Sequence, residues 1–186
     1  TKSDLDAADE GLPALVPENA PAFVQQFTAE LIAGRGDQVP VSLMPADGTF
    51  PLGTAAWEKR NLALEVPVWE TDLCTHCGKC PLVCPHAAIR SKVFSTEDQI
   101  GAPEGFVSAD VKGGGFDKGL RITYQVAPDD CTGCGLCVEI CPIRDKQNPR
   151  RKALNLTDDP AYHQQQKASW DFFLRLPEFA RSQLRE

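Results

Sequence analysis

The chain has 186 residues, 42% of them hydrophobic, with a formal net charge of −7. That length suits one domain or slightly more, and the acidic balance argues against nucleic acid or an anionic membrane as a general partner. No apolar run approaches the roughly 18–20 residues of a membrane span.

Residues 1–18 are acidic, punctuated by Pro and Gly and without periodicity, which predicts a linker. They open without Met, without a basic start and without an apolar core, so they do not read as a signal peptide. The expectation is an excerpt of a longer polypeptide, or a processed chain. From Pro21 to Ala33 the pattern turns helical. Phe23, Val24, Phe27, Leu31 and Ile32 recur on one face, Asn19 stands near the N-cap, and Gly34 can close the end. Residues 35–65 are rich in Pro and Gly yet carry Val41, Leu43, Met44, Phe50, Leu52 and Trp57. A disordered linker lacks such apolar side chains. The stretch predicts an extended arm packed on neighbouring domains.

Two cysteine runs follow. Cys74, Cys77, Cys80 and Cys84 precede Pro85, and Cys131, Cys134, Cys137 and Cys141 precede Pro142. Both read C-x2-C-x2-C-x3-C-P, and together they use all eight cysteines. This is the bacterial spacing for [4Fe–4S] clusters, in which the fourth cysteine serves the other cluster. One cluster is therefore assigned to Cys74, Cys77, Cys80 and Cys141, the other to Cys131, Cys134, Cys137 and Cys84. A zinc ribbon has two C-x2-C pairs without the added steps. A disulfide framework belongs to short secreted chains denser in cysteine. Thiols spaced for iron imply a reducing compartment, so a cytoplasmic location is expected.

Strand-like segments flank both runs. Glu65–Glu70 enters and Ile89–Phe94 leaves the first; Leu120–Val126 enters and Ala153–Leu156 leaves the second. The expected pairings are Ile89–Phe94 with Leu120–Val126 and Glu65–Glu70 with Ala153–Leu156, with short helices at Pro81–Cys84 and Leu136–Cys141. The fold class is α+β: a two-cluster bacterial ferredoxin-like fold, pseudo-two-fold, with two small antiparallel β-hairpins and short helices. An irregular N-terminal arm and flanking helices complete it. The expected domains are 1–64 (linker, helix and arm), 65–157 (the two-cluster domain, with an insertion at 95–119) and 158–186 (a helix and connector).

Gly113, Gly114 and Gly115 in the insertion lack the strand before and the helix with Lys-Ser/Thr after that a phosphate loop needs, so they predict a plain loop. Pro160–Leu176 reads as a helix with Trp170, Phe173 and Leu174 on one face. His76, His86 and His163 are expected to be packing or surface residues, since eight thiolates already satisfy two clusters. Lys146–Lys152 (KQNPRRK) is the dense basic patch of the chain and offers a docking site for an acidic redox partner beside the simpler reading, a solvated loop. Lys79, Arg90 and Lys92 near the first run, against Asp129, Asp130 and Glu139 near the second, predict that the first cluster is the easier to reduce.

The flanks of the runs carry a family resemblance. GTFPLGTAAWEKRN, VPVWETDLCTHCGKCPLVCPHAAIRSKV, YQVAPDDCTGCGLCVEICPIRDKQNPRRKALNL and DFFLRLPE resemble the corresponding segments of pyruvate:ferredoxin (flavodoxin) oxidoreductases, from about Gly48 to Arg181. The resemblance implies the two-cluster ferredoxin-like domain of a homodimeric enzyme that oxidises pyruvate with coenzyme A. In it, electrons leave thiamine diphosphate, held with Mg, through a third [4Fe–4S] cluster. They then cross the two clusters here to ferredoxin or flavodoxin. No thiamine-binding motif or pyruvate site stands in this sequence, so no catalytic residue is assigned, and this segment is expected to carry electrons only. Two further readings share the same cysteines: a stand-alone two-cluster electron carrier, and a variant fused to a flavin reductase that passes electrons to NADP.

Overall fold

The structure, a computed structural model, describes residues 14–113 and 115–184. Much of the expected N-terminal linker, and Gly114 of the glycine loop, lie outside the described residues. The chain divides into two units, meeting in sequence between Lys59 and Arg60.

In the first unit the expected helix forms, as a π-helical segment Val24–Thr28 followed by α1 (Ala29–Ile32). Gly34, at φ 72°, ends it, and Arg35 N–H reaches back to the Glu30 carbonyl at 2.9 Å. Glycine adopts this left-handed conformation without a Cβ clash, which is why it stops helices. Val16, Ala20 and Val24 form a small buried cluster with Trp57 against it. Phe50 packs on Phe23 and Phe27, with ring centroids 5.9 and 5.4 Å away. The apolar residues of the irregular stretch are thus partly used within its own unit. Between residues 35 and 59 the backbone forms only 3-10 turns, and Val41 and Leu52 remain 83% and 99% exposed.

The second unit is α+β with antiparallel sheets. β1 (Val66–Trp69) pairs with β5 (Leu154–Thr157), Val66 facing Thr157 and Trp69 facing Leu154. β2 (Ile89–Ser95) pairs with β4 (Leu120–Val126), Ile89 facing Val126. Both expected pairings are present. The insertion adds β3 (Ala109–Asp110) on the far side of β4, so the second sheet has the order β2-β4-β3. Between the strands lie α2 (Lys79–Val83) and α3 (Leu136–Glu139).

β4 is buried on both faces, and each face meets a different layer. Ile122, Tyr124 and Val126 join Trp69, Ile89 and Leu154 in the core that packs against the cysteines. On the reverse face Thr123 and Gln125 are buried and polar, and both donate to the Val107 carbonyl, at 2.6 and 3.2 Å. The insertion therefore supplies the acceptor that makes those polar residues tolerable inside the fold.

The long helix α4 (Pro160–Arg175) begins at Asp159, whose carboxylate accepts from Ala161 N–H, with Pro160 in the first turn. Trp170, Phe172, Phe173 and Leu176 are buried with Ala88, Phe94, Phe106 and Ala127. The periodicity placed Leu174 on the buried face; it is instead 52% exposed, and Phe172 is buried in its place. The reason is Phe106 of the insertion, whose ring meets Phe172 at 4.8 Å and widens the covered stripe. Lys92 closes the helix, donating to the Leu176 carbonyl at 2.7 Å.

Candidate iron–sulfur centres

The two cysteine loops are built alike. In each, the third residue of the run takes a left-handed conformation, His76 at φ 59° and Gly133 at φ 67°, and donates its N–H to the sulfur of the first cysteine at 3.4 Å. Gly78 and Gly135, at φ 70° and 73°, then turn the chain into α2 and α3. These short helices carry the third cysteine, and the fourth follows one turn later.

The loops differ in what holds them. A Cβ at Gly133 would stand 3.2 Å from the Glu65 carbonyl, because residues 61–65 run along this loop, with Asn61 N–H bonded to the Asp129 carbonyl at 3.1 Å. His76 has room for a side chain and a partner for it. Lys112, from the insertion, donates its N–H to His76 Nδ1 at 3.0 Å, and its ammonium donates to the carbonyls of Thr71 and Cys74 at 3.3 and 2.8 Å. The acceptor role of Nδ1 places the ring proton on Nε2. Burial and the nearby Lys112 ammonium lower the imidazole's proton affinity. His76 is thus a packing residue that also anchors a loop, while nothing in the spacing of the cysteines points to Lys112.

The eight sulfurs fall into two sets. One cavity is lined by Cys74, Cys77, Cys80 and Cys141, with Trp69, Tyr124 and Leu154. The other is lined by Cys131, Cys134, Cys137 and Cys84, with Pro67, Ile89, Val126 and Leu156. In each set three cysteines come from one run and the fourth from the other. Cys77 and Cys134 are exposed, and the remaining six are half-buried. Among the described residues no three His, Cys, Asp or Glu side chains come close enough to share one metal ion.

Burial, then the charge of neighbouring thiols, pushes Cys80 up to about 12 and Cys137 up to about 11, and burial raises Cys131. Cys80 also feels Cys137 of the other set. Thiols raised in this way are held as thiolates only when positive charge lies among them, which iron would supply. The donor set fits a cubane cluster.

The surrounding charges are not where the sequence suggested. Arg90 and Lys92 stack on α4, over Trp170 and Phe173 at 5.3 and 5.2 Å, and Lys92 pairs with Glu178. That core packs on Cys84 and Cys131, away from the first cysteine loop. Asp129 is paired with Lys167 at 2.7 Å.

The basic patch is likewise largely spent within the fold. Arg151 bonds Glu70 and Asp72 beside the first run, at 2.7 and 3.1 Å, and Asp145 at 3.1 Å. Lys152 is buried and donates to the carbonyls of Val138 and Glu139 at the end of α3. The docking site expected at Arg150, Arg151 and Lys152 is reduced to exposed Arg150 and Lys146. The spacing of charges in sequence does not reveal that Glu70 and Asp72 face this loop.

Comparison with known proteins agrees with this geometry. A family model described as a 4Fe-4S dicluster domain matches residues 73–144, and one described as a domain of unknown function matches residues 9–63. The chain is 49% identical over 172 residues to a probable pyruvate-flavodoxin oxidoreductase of Escherichia coli, covering 92% of this chain and 15% of that protein. It is 49% identical to the pyruvate-flavodoxin oxidoreductase of Trichormus variabilis (92% and 14% covered). It is 40% identical to the pyruvate:ferredoxin oxidoreductase of Moorella thermoacetica (93% and 14% covered). The chain is homologous to one segment of these oxidoreductases. The resemblance read from the flanks of the cysteine runs is borne out. The chain spans 15% or less of the length of these relatives. No helix among the described residues is long and apolar enough to cross a membrane.

Proposed function

We propose that this chain is the electron relay of a thiamine-diphosphate-dependent 2-oxoacid oxidoreductase acting on pyruvate. In this reading Cys74, Cys77, Cys80 and Cys141 hold one [4Fe–4S] cluster, and Cys131, Cys134, Cys137 and Cys84 hold the other. The observation that carries it is the pair of cavities, each lined by three cysteines of one run and the fourth of the other. When bound, each cluster accepts and passes on one electron at a time. The matched turns at His76 and Gly133, and at Gly78 and Gly135, support a pseudo-two-fold arrangement of the two halves.

The chain's own part is to hold the two sites close together and leave each an open edge. The charge of Cys137 in one set reaches Cys80 in the other, and Cys77 and Cys134 are the exposed cysteines of their sets. Electrons enter past one exposed edge and leave past the other, to flavodoxin or ferredoxin. Thiamine diphosphate, magnesium and a third cluster belong, in this reading, to the remainder of a cytoplasmic homodimer. Exposed Val41 and Leu52 are where other domains of that polypeptide would pack. The relatives favour this reading over a stand-alone carrier.

The test is anaerobic reconstitution. We expect about eight iron and eight acid-labile sulfide per chain, and an EPR spectrum of two interacting centres after reduction. The reduced protein should then deliver electrons to flavodoxin or ferredoxin. Iron without sulfide, or stoichiometric zinc, overturns the reading. In the full-length polypeptide, Cys77→Ala should abolish pyruvate-dependent flavodoxin reduction while pyruvate still binds.

A further inference from the structure

The two cavities match in their cysteines and differ in their walls. Around Cys131, Cys134, Cys137 and Cys84 the wall from the sheets is aliphatic: Pro67, Ile89, Val126 and Leu156. Around Cys74, Cys77, Cys80 and Cys141 it holds Trp69 and Tyr124. Trp69 is the last residue of β1 and is buried. Its indole Nε1 is also buried and has no acceptor. A buried N–H without a partner is costly and rare in native folds.

The indole is placed by its neighbours. Its ring lies 5.1 Å from Tyr124 and 6.1 Å from His76. His76 bonds the Cys74 sulfur through its own N–H. Two orphan donors, the Trp69 indole N–H and His76 Nε2–H, therefore belong to the aromatic group packed on this cysteine loop, and the other cavity has no counterpart to them among the described residues.

We propose that Trp69 Nε1–H donates a hydrogen bond to a sulfur of the cluster held by Cys74, Cys77, Cys80 and Cys141, and thereby makes that cluster the easier of the two to reduce. The inference rests on the two-cluster reading above. Cluster sulfurs carry negative charge and supply the acceptor the protein lacks. One-electron reduction adds a further negative charge without moving a proton, so the bond strengthens on reduction. Hydrogen bonds to sulfur are one of the factors that set a cluster's potential. Trp69 is in this sense a positioning residue: it acts on the electron's energy and binds neither iron nor partner.

The experiment is a redox titration followed by EPR on reconstituted protein and on Trp69→Phe, which keeps the aromatic packing and removes the N–H. We expect the reduction equilibrium constant of one cluster to fall about tenfold, or about 59 mV for one electron, with the other unmoved. Two unmoved midpoints, or two that move together, overturn the proposal. If Trp69→Phe assembles no clusters, wild-type protein labelled with 15N-indole carries the test. A reduced cluster must then show hyperfine coupling to 15N, and its absence overturns the proposal. Failure of the wild type to take up iron and sulfide is a different result, since it removes the cluster reading itself.

Discussion

Lys112 donates its N–H to His76 Nδ1 at 3.0 Å across 36 positions of sequence, and that bond ties the insertion to the first cysteine loop. Replacing Lys112 by Ala keeps the backbone bond and removes the ammonium from the carbonyls of Thr71 and Cys74. The expected cost is modest, about 0.5–1 kcal/mol. Its signature is selective: a chelator should strip one of the two clusters faster, with the other unchanged. Equal rates for both would detach Lys112 from this role.

Arg151 and Arg150 are adjacent and do opposite things. Arg151 joins Glu70, Asp72 and Asp145, while Arg150 is exposed. Arg151→Met should lower the melting temperature, because three carboxylates then face one another without a cation. Arg150→Ser should leave it unchanged. If a carrier docks through what remains of the patch, Arg150→Ser slows electron delivery at low salt only. Loss of stability in Arg150→Ser would contradict the assignment.

The sulfur sets predict a crossed result. Cys84→Ala should spoil the site of Cys131, Cys134 and Cys137, and Cys141→Ala that of Cys74, Cys77 and Cys80. Each variant is expected to keep about four of about eight irons. The EPR signal that survives in one should be the signal lost in the other.

Much of this arrangement is legible in the residues. A period of two in LRITYQV and EVPVWE marks the strands, and the spacing of the cysteines predicts the exchange of fourth cysteines that the proposed cluster sites use. What escaped is long-range. Thr123 and Gln125 are buried only because Val107 folds over them. Phe172 displaces Leu174 from the covered face because Phe106 extends that face. Arg151 leaves the surface patch because Glu70 lies opposite. In each case a local pattern is overridden by a partner 16 or more positions away, beyond the reach of the periodicity that marks a single strand or helix.

Tyr162 predicts a limit at high pH. Its hydroxyl donates to the Pro67 carbonyl at 3.4 Å, and burial, then Glu70, pushes its ionisation up to about 12. An unfolded tyrosine ionises near 10. Between those values the native state holds a proton that the unfolded state has released, so stability falls as pH rises from about 10 to about 12. Below about 10 the contribution is fully present. Tyr162→Phe should flatten this slope in denaturant titrations at alkaline pH; an unchanged slope would show that other groups govern it.

Gly105 and Gly101 make a matched pair for the insertion. Both have positive φ, 84° and 83°. A Cβ at Gly105 would meet the Gln165 side chain on α4 at 1.8 Å, whereas Gly101 opens to free space. Gly101→Ala should cost the left-handed strain alone, about 1–2 kcal/mol. Gly105→Ala should cost only slightly more, because what it displaces is the flexible Gln165 side chain, which can swing aside.

The partition of the sulfurs also bears on how the protein is made. Cys141 lies with Cys74, Cys77 and Cys80, and Cys84 with Cys131, Cys134 and Cys137, so in the two-cluster reading the second site is complete once synthesis has passed residue 137 and the first only once it has passed residue 141. A nascent chain that has exposed only the first run presents three thiols of one site and a single thiol, Cys84, of the other. Metal captured at that stage would be held by three sulfurs and open to exchange, oxygen and the wrong ion. Filling either site therefore waits until the second run has been made, and a ribosome stalled between the runs should release a chain that holds no stable iron.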